Sequence, residues 1–198
     1  MAAQVRRGRP PKSDGVDNRD RLIEAAAAAC ADHGFDGATL NEIARRAGVT
    51  ATAVYNHFDD RQALLYAAGV RSLRLMTDAV QGPGANTFQE VVVAYLRPEM
   101  AQARRVLAEL HLASHRDPVL AEMLGDWQSR SAAGLARLLP DDPDPVATVK
   151  SLFLVLLGLC HLEDLGAVDA DPDAVAARVG QMVETLRSAG PDRSQPTS

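Results

Sequence analysis

The sequence predicts an all-helical protein in two parts, a three-helix N-terminal domain with a helix-turn-helix and a larger C-terminal helical domain. Three observations carry the prediction. Leu, Ala and Val dominate an apolar fraction of 46% while aromatic residues supply 4%, a composition that favours helices over strands. Apolar residues recur at helical spacing in segments punctuated by Gly and Pro. The charge also changes sign along the chain: residues 1–75 hold 11 basic and 9 acidic side chains, and the remaining 123 hold 10 and 17. A protein of net charge −5 thus keeps one end suited to an anionic partner.

Residues 1–17 read as a basic arm, with Arg6, Arg7, Arg9 and Lys12 and no acid before Asp14. The first helix follows, with Leu22, Ile23, Ala26, Ala27 and Cys30 on one face and an end at Gly34. Thr39-Leu40-Asn41-Glu42 has the form of a capping box, in which the hydroxyl accepts a free amide and Glu42 reaches back. Behind it Leu40, Ile43, Ala44 and Ala47 make the stripe of a helix of about eight residues. Gly48 closes that helix in a left-handed conformation, Val49 packs beneath the turn, and Thr50 caps a further short helix predicted to run through Phe58. Helices this short are not stable alone, so they must pack on the first helix and on each other.

A short helix, a tight Gly-containing turn and a second short helix make a helix-turn-helix, spanning residues 18–66 with the first helix; an ordinary helical hairpin is the plainer alternative. Val54 and Phe58, four apart, face inward. Ala51, Thr52, Ala53 and Asn56 are left to read bases, Asn by hydrogen bonding adenine and methyl groups by touching thymine. No Lys or Arg lies between Thr50 and Phe58, so bidentate guanine recognition is absent there and the arm must add affinity. Arg7-Gly8-Arg9-Pro10 looks like the core of an AT-hook, an extended segment whose arginines enter a narrow minor groove.

Several segments together resemble the N-terminal domain of the TetR family of bacterial transcriptional regulators. They are the Ala-rich first helix leading to Gly34-Phe35, Ala38-Thr39-Leu40, Ile43 to Thr50, Val54-Tyr55-Asn56-His57-Phe58 and Arg61-Gln62-Ala63-Leu64-Leu65. The resemblance implies phosphate contacts from Thr39, Thr50, Tyr55, His57 and Arg61, whose hydroxyls, imidazole and guanidinium suit that task beside helix N-termini. Tyr55 as a packed aromatic and His57 as a solvated residue are the competing readings, and Arg45 and Arg46 read as solvating their helix.

A long helix from about Asp60 to Gln81, ending at Gly82-Pro83-Gly84, links the DNA-facing end to a domain spanning 67–189. Helices are predicted at about Thr87–Leu96, Pro98–Ser114, Pro118–Leu138, Asp144–Leu165 and Pro172–Ser188, before a disordered tail at 190–198. Leu152 to Leu159 leave almost no polar side, so that helix needs covering all round, by a partner copy or by its own domain. The resemblance implies a homodimer paired through the last two helices and a small-molecule effector bound among the middle ones. Met100, Arg104, Leu107, His111, Met123, Trp127 and His161 combine bulk with polar handles and are the expected pocket.

No secretory signal is read at the basic N-terminus and no membrane span in the apolar run Leu152–Cys160, so a cytoplasmic location is expected. Cys30 and Cys160 read as buried apolar residues. His111 and His115, four apart, suggest a metal only weakly, with Glu109, Cys160 or His161 as further ligands, and no phosphate loop, nucleophile elbow or paired-Cys motif supports catalysis. The expected protein is therefore not an enzyme and needs no cofactor. It is a repressor released from a palindromic site on double-stranded DNA by an effector. The alternatives are an architectural protein of A·T-rich DNA and a helical metal-dependent enzyme.

Overall fold

The computed structural model describes residues 14–164 and 171–188. The arm residues Arg6, Arg7, Arg9 and Lys12, and the tail after 190, lie outside the described residues. Among the described residues every regular element is helical.

Helix α1 (Asp14–Gly37) begins inside the segment read as arm and is broken at Gly34, where φ is 77° and ψ 168°. Ala25, Ala26, Ala27 and Ala29 lie in its buried face, Ala26 and Ala29 fully buried, because small side chains let α1 approach its neighbours closely. Helix α2 (Leu40–Ala47) ends at Gly48 in the left-handed conformation, φ 68° and ψ 32°, whose N–H donates to the Ala44 and Arg45 carbonyls. The Arg21 guanidinium donates to the Ala47 carbonyl at 2.6 Å, a second closure of the same helix end.

Two local expectations need correction. Thr39 Oγ1 accepts from the Glu42 amide, but Glu42 does not reach back. Its carboxylate takes bonds from Arg45 at 2.7 and 2.9 Å and from Arg46 at 2.7 Å. The reciprocal box forms instead at Thr87 and Glu90. Second, α3 is regular only over Ala51–Val54. Beyond it the bonds tighten, Asn56 N–H to Ala53 and His57 N–H to Val54, as the chain turns into the extended Asp60 that caps the next helix.

Helix α4 (Arg61–Gln81) is continuous from the first domain into the second. Then come α5 (Phe88–Leu96), a 3₁₀ turn at Pro98–Met100, α6 (Ala101–Ser114), α7 (Pro118–Ala136), α8 (Pro145–Asp164) and α9 (Pro172–Ser188). α6 lies at the centre, against α1, α4, α7 and α8, while α9 packs on α5 and α8. Cys30 and Cys160 are both buried thiols.

The predicted absence of any span understated α8. Its window Pro145–Leu162, 18 residues with mean hydropathy 1.8, is long and apolar enough to cross a membrane by composition, because small and apolar residues extend beyond the uninterrupted run. One face, with Val149, Leu152, Leu156 and Cys160, is buried in the body. On the other, Leu154 is 73% exposed, and Met182 of α9 is 50% exposed.

Candidate nucleic-acid interface and internal cavity

The turn from α2 to α3 is held by its own chemistry. Gly48 sets the direction, Val49 N–H donates to the Ala44 carbonyl, and Thr50 Oγ1 accepts from Ala53 N–H at 3.2 Å. Val54 and Phe58 anchor the segment from below, 1% and 7% exposed, with the Arg19 guanidinium 5.0 Å from the Phe58 ring centre. Thr52, Tyr55 and Asn56 are exposed, and Ala51, Ala53 and His57 are half-buried. Tyr55 is 58% exposed, which removes the packed-aromatic reading.

The threonines at the helix starts accept from backbone amides through Oγ1, and accepting leaves each hydroxyl proton available to an anion. Arg61 has a different task. Its guanidinium donates to the carbonyls of Ala38 at 3.0 Å, Phe35 at 2.6 Å and Asp36 at 3.2 Å, closing the carbonyls left open where α1 breaks. The phosphate role implied for Arg61 is therefore opposed by its local bonding. Arg46 likewise does more than solvate: it donates to Asp32 at 2.7 Å as well as to Glu42 and ties α2 to α1. Hydrogen bonds from Arg45 and then Arg46 hold the Glu42 carboxyl down at about 2.

Among the middle helices lies a cavity of 30 Å³. Leu107, His111 and Trp127 border it, as the sequence suggests, together with Tyr95, Gln128, Ser131 and Phe153, which were not anticipated. Periodicity could have found Ser131, since Trp127, Ser131 and Leu135 are spaced four apart on one face of α7. The other four expected residues lie elsewhere. Arg104, 2% exposed, donates to the carbonyls of Tyr95 at 2.6 Å and Arg97 at 2.9 Å and so closes the end of α5. Met100 sits in the core at the 3₁₀ turn. Met123 packs with Leu110 over Gly69. His161 is exposed and donates from Nδ1 to the Leu157 carbonyl at 2.9 Å.

Burial, with His161 and His115 alongside, holds the His111 imidazole below its ordinary value of 6.5. Burial pushes the Cys30 thiol up to about 12, with Glu109 adding to it. Among the described residues no cluster of three His, Cys, Asp or Glu side chains is placed to hold a metal ion.

A small helix-turn-helix domain on a larger helical body is the architecture these features define. The helix-turn-helix end of the chain is similar to the N-terminal domain of the TetR family of bacterial regulatory proteins. Residues 22–68 match the family described as "Bacterial regulatory proteins, tetR family". The chain is 28% identical over 115 residues to the HTH-type transcriptional repressor AcnR of Corynebacterium glutamicum, which covers 58% of this chain and 60% of AcnR. It is 30% identical over 130 residues to the probable acrEF/envCD operon repressor of Escherichia coli K12, 62% of this chain and 59% of that one. The chain thus matches about three-fifths of the length of either relative. The fold is similar to that of a TetR-family transcriptional regulator from Rhodococcus sp., with a TM-score of 0.72, 20% identity, and coverage of 86% of this chain and 99% of the other.

Proposed function

We propose that the protein is a transcriptional repressor that binds a palindromic site on double-stranded DNA as a homodimer and is released by a small-molecule effector. The observation that carries this reading is the face of α3 and its following turn, where Thr52 and Asn56 are exposed and uncharged above a buried Val54 and Phe58. Thr52, Asn56 and the half-buried Ala51 and Ala53 meet base edges, while Thr39, Thr50, Tyr55 and His57 hold phosphates on either side. Arg6, Arg7, Arg9 and Lys12 supply minor-groove contacts and the charge that the α3 face lacks. The names of the two relatives favour repression, and the gene it controls would be transcribed in the cytoplasm where such a regulator works.

Pairing is supported by the apolar side chains that α8 and α9 leave uncovered, Leu154 and Met182 among them. Two copies joined there present two recognition segments to two half-sites. Release by an effector at 10- to 100-fold lower DNA affinity needs a coupling of only about 1.4 to 2.7 kcal/mol. Footprinting on the DNA upstream of its own gene tests the reading: protection of a two-fold symmetric site is expected, and uniform or absent protection counts against it.

The lack of any Lys or Arg between Thr50 and Phe58 favours one rival, an architectural protein of A·T-rich DNA. The two differ in selectivity. A regulator prefers its site by at least about 10³ over unrelated DNA, and the rival shows only a preference for A·T content.

A further inference from the structure

The cavity beside α6 and α7 has a volume of 30 Å³, room for about one water molecule. Its wall is chemically selective. Met76, Val80, Leu107, Phe153 and Leu156 give it hydrocarbon and ring surface, and no Lys, Arg, Asp or Glu borders it. An ion entering would give up its hydration with no counter-charge to replace it.

Two of the polar groups at the wall are already engaged. The Tyr95 hydroxyl lies 2.6 Å from Cys160 Sγ and 3.3 Å from the Leu156 carbonyl. The Trp127 indole N–H donates to Thr77 Oγ1 at 2.9 Å and to the Leu73 carbonyl at 3.2 Å. Ser131 differs. It is 2% exposed, and among the described residues its hydroxyl has no hydrogen-bond partner, whereas Ser72, Ser114 and Ser151 each donate to a carbonyl of the preceding turn. A buried hydroxyl without a partner is costly, and where it borders a cavity a ligand can satisfy it. Nearby, the Nε2 atoms of His111 and Gln128 are 3.5 Å apart, at the outer limit of a hydrogen bond. Burial keeps His111 below its ordinary range, so near neutral pH it offers one donor and one acceptor rather than a charge.

We propose that this cavity takes an uncharged, largely apolar small molecule with a single hydroxyl, a phenol or an alcohol, whose oxygen meets Ser131 and the His111–Gln128 pair. Its hydrocarbon body spreads the walls beside Trp127 and Phe153, whose rings lie near parallel with centres 6.0 Å apart and are only partly buried. The inference rests on the regulator reading for its consequence at DNA and names the effector's chemical class.

The test uses 4-propylphenol, propylbenzene and 4-propylbenzoate, which share a body and differ in the head group. Calorimetry on the full chain measures binding, and the fluorescence of Trp127, the single tryptophan, reports occupancy of the cavity. The phenol is expected to bind with a Kd below about 1 mM, and the other two at least about 10-fold more weakly. Ser131→Ala lowers affinity for the phenol about 10-fold and leaves propylbenzene unaffected, and Ser131→Thr restores the phenol. Equal or tighter binding of the benzoate, indifference to Ser131→Ala, or no binding by any of the three overturns the proposal. Duplex binding on the same samples separates the two readings. A chain that takes the phenol and selects no duplex keeps the ligand class and loses the regulator, and the reverse outcome loses only the ligand class.

Discussion

Gly34 meets two demands that no other residue type meets together. Its φ of 77° lies where side chains are strained, and a Cβ there would stand 2.8 Å from Glu109 Oε2. The same carboxylate accepts the Phe35 N–H at 3.3 Å. Gly34→Ala is expected to destabilise the fold by about 1 to 3 kcal/mol in urea denaturation, and an unchanged midpoint would show that the break is not needed. His111 gives a second outcome. Its folded value lies below the ordinary 6.5, so the unfolded chain takes up the proton first as pH falls. The stabilisation from the neutral imidazole is complete above 6.5 and is lost as pH drops towards the folded value. Between about pH 7 and 5 the denaturation midpoint of the wild type should therefore fall more steeply than that of His111→Gln; parallel curves contradict the shift. At this scale the sequence was legible where a residue acts on its own backbone, as Gly48 and Thr50 do. It was silent on partners. Arg61 shows its charge in the sequence, but the carbonyls of Phe35, Asp36 and Ala38 that claim it are exposed to it only by a break in α1.

Helix boundaries were legible to within a few residues wherever a cap or a proline marked them: α4 after Asp60, α9 from Pro172, and α7 behind Asp117. The boundary failed at α3, where Asn56 and His57 sit in a tightened turn set by the need to enter α4. Which face of a helix meets which neighbour was less legible. Arg104, Leu107 and His111 share a face of α6 by spacing, yet Arg104 turns to the carbonyls closing α5 while the other two border the cavity. The same helix carries Glu109 to the α1 break. A second link runs from α4, where the Tyr66 hydroxyl at 2.7 Å and Gln62 Nε2 at 2.9 Å both donate to Asp117 Oδ2. Partial burial pulls the Asp117 carboxyl up, but these bonds and the Leu120 and Val119 amides outweigh it and hold it below its usual range. Helices that line the cavity thus also grip the helix-turn-helix. The proposed arm is tested at this scale too. Deleting residues 1–12 removes four cations, so the slope of log affinity against log salt should flatten by up to about four units. A slope left unchanged would make the arm a passive tail.

The proposed pairing rests on apolar surface that one chain does not cover. Leu154 is 73% exposed on a helix rich in Leu and Val, and exposed apolar surface of this kind marks an interaction surface. Sedimentation at micromolar concentration should find a dimer, and Leu154→Glu should shift it to monomer and weaken binding to a two-half-site duplex far more than to a single half-site. A wild-type monomer would make α8 simply a core helix. The helical class was readable from composition and the α2–α3 turn from its own chemistry; the cavity was readable only in part, because it depends on how five helices meet. The central claim, that the segment from Thr50 to Phe58 reads sequence through uncharged side chains, is tested most directly by selection from randomised duplexes with the wild type, Asn56→Ala and Tyr55→Ala. The account predicts a two-fold symmetric site for the wild type, relaxation at one base pair per half-site by about 1 to 3 kcal/mol for Asn56→Ala, and uniform weakening without altered preference for Tyr55→Ala. A base preference untouched by Asn56→Ala, or enrichment of A·T content alone, would contradict it.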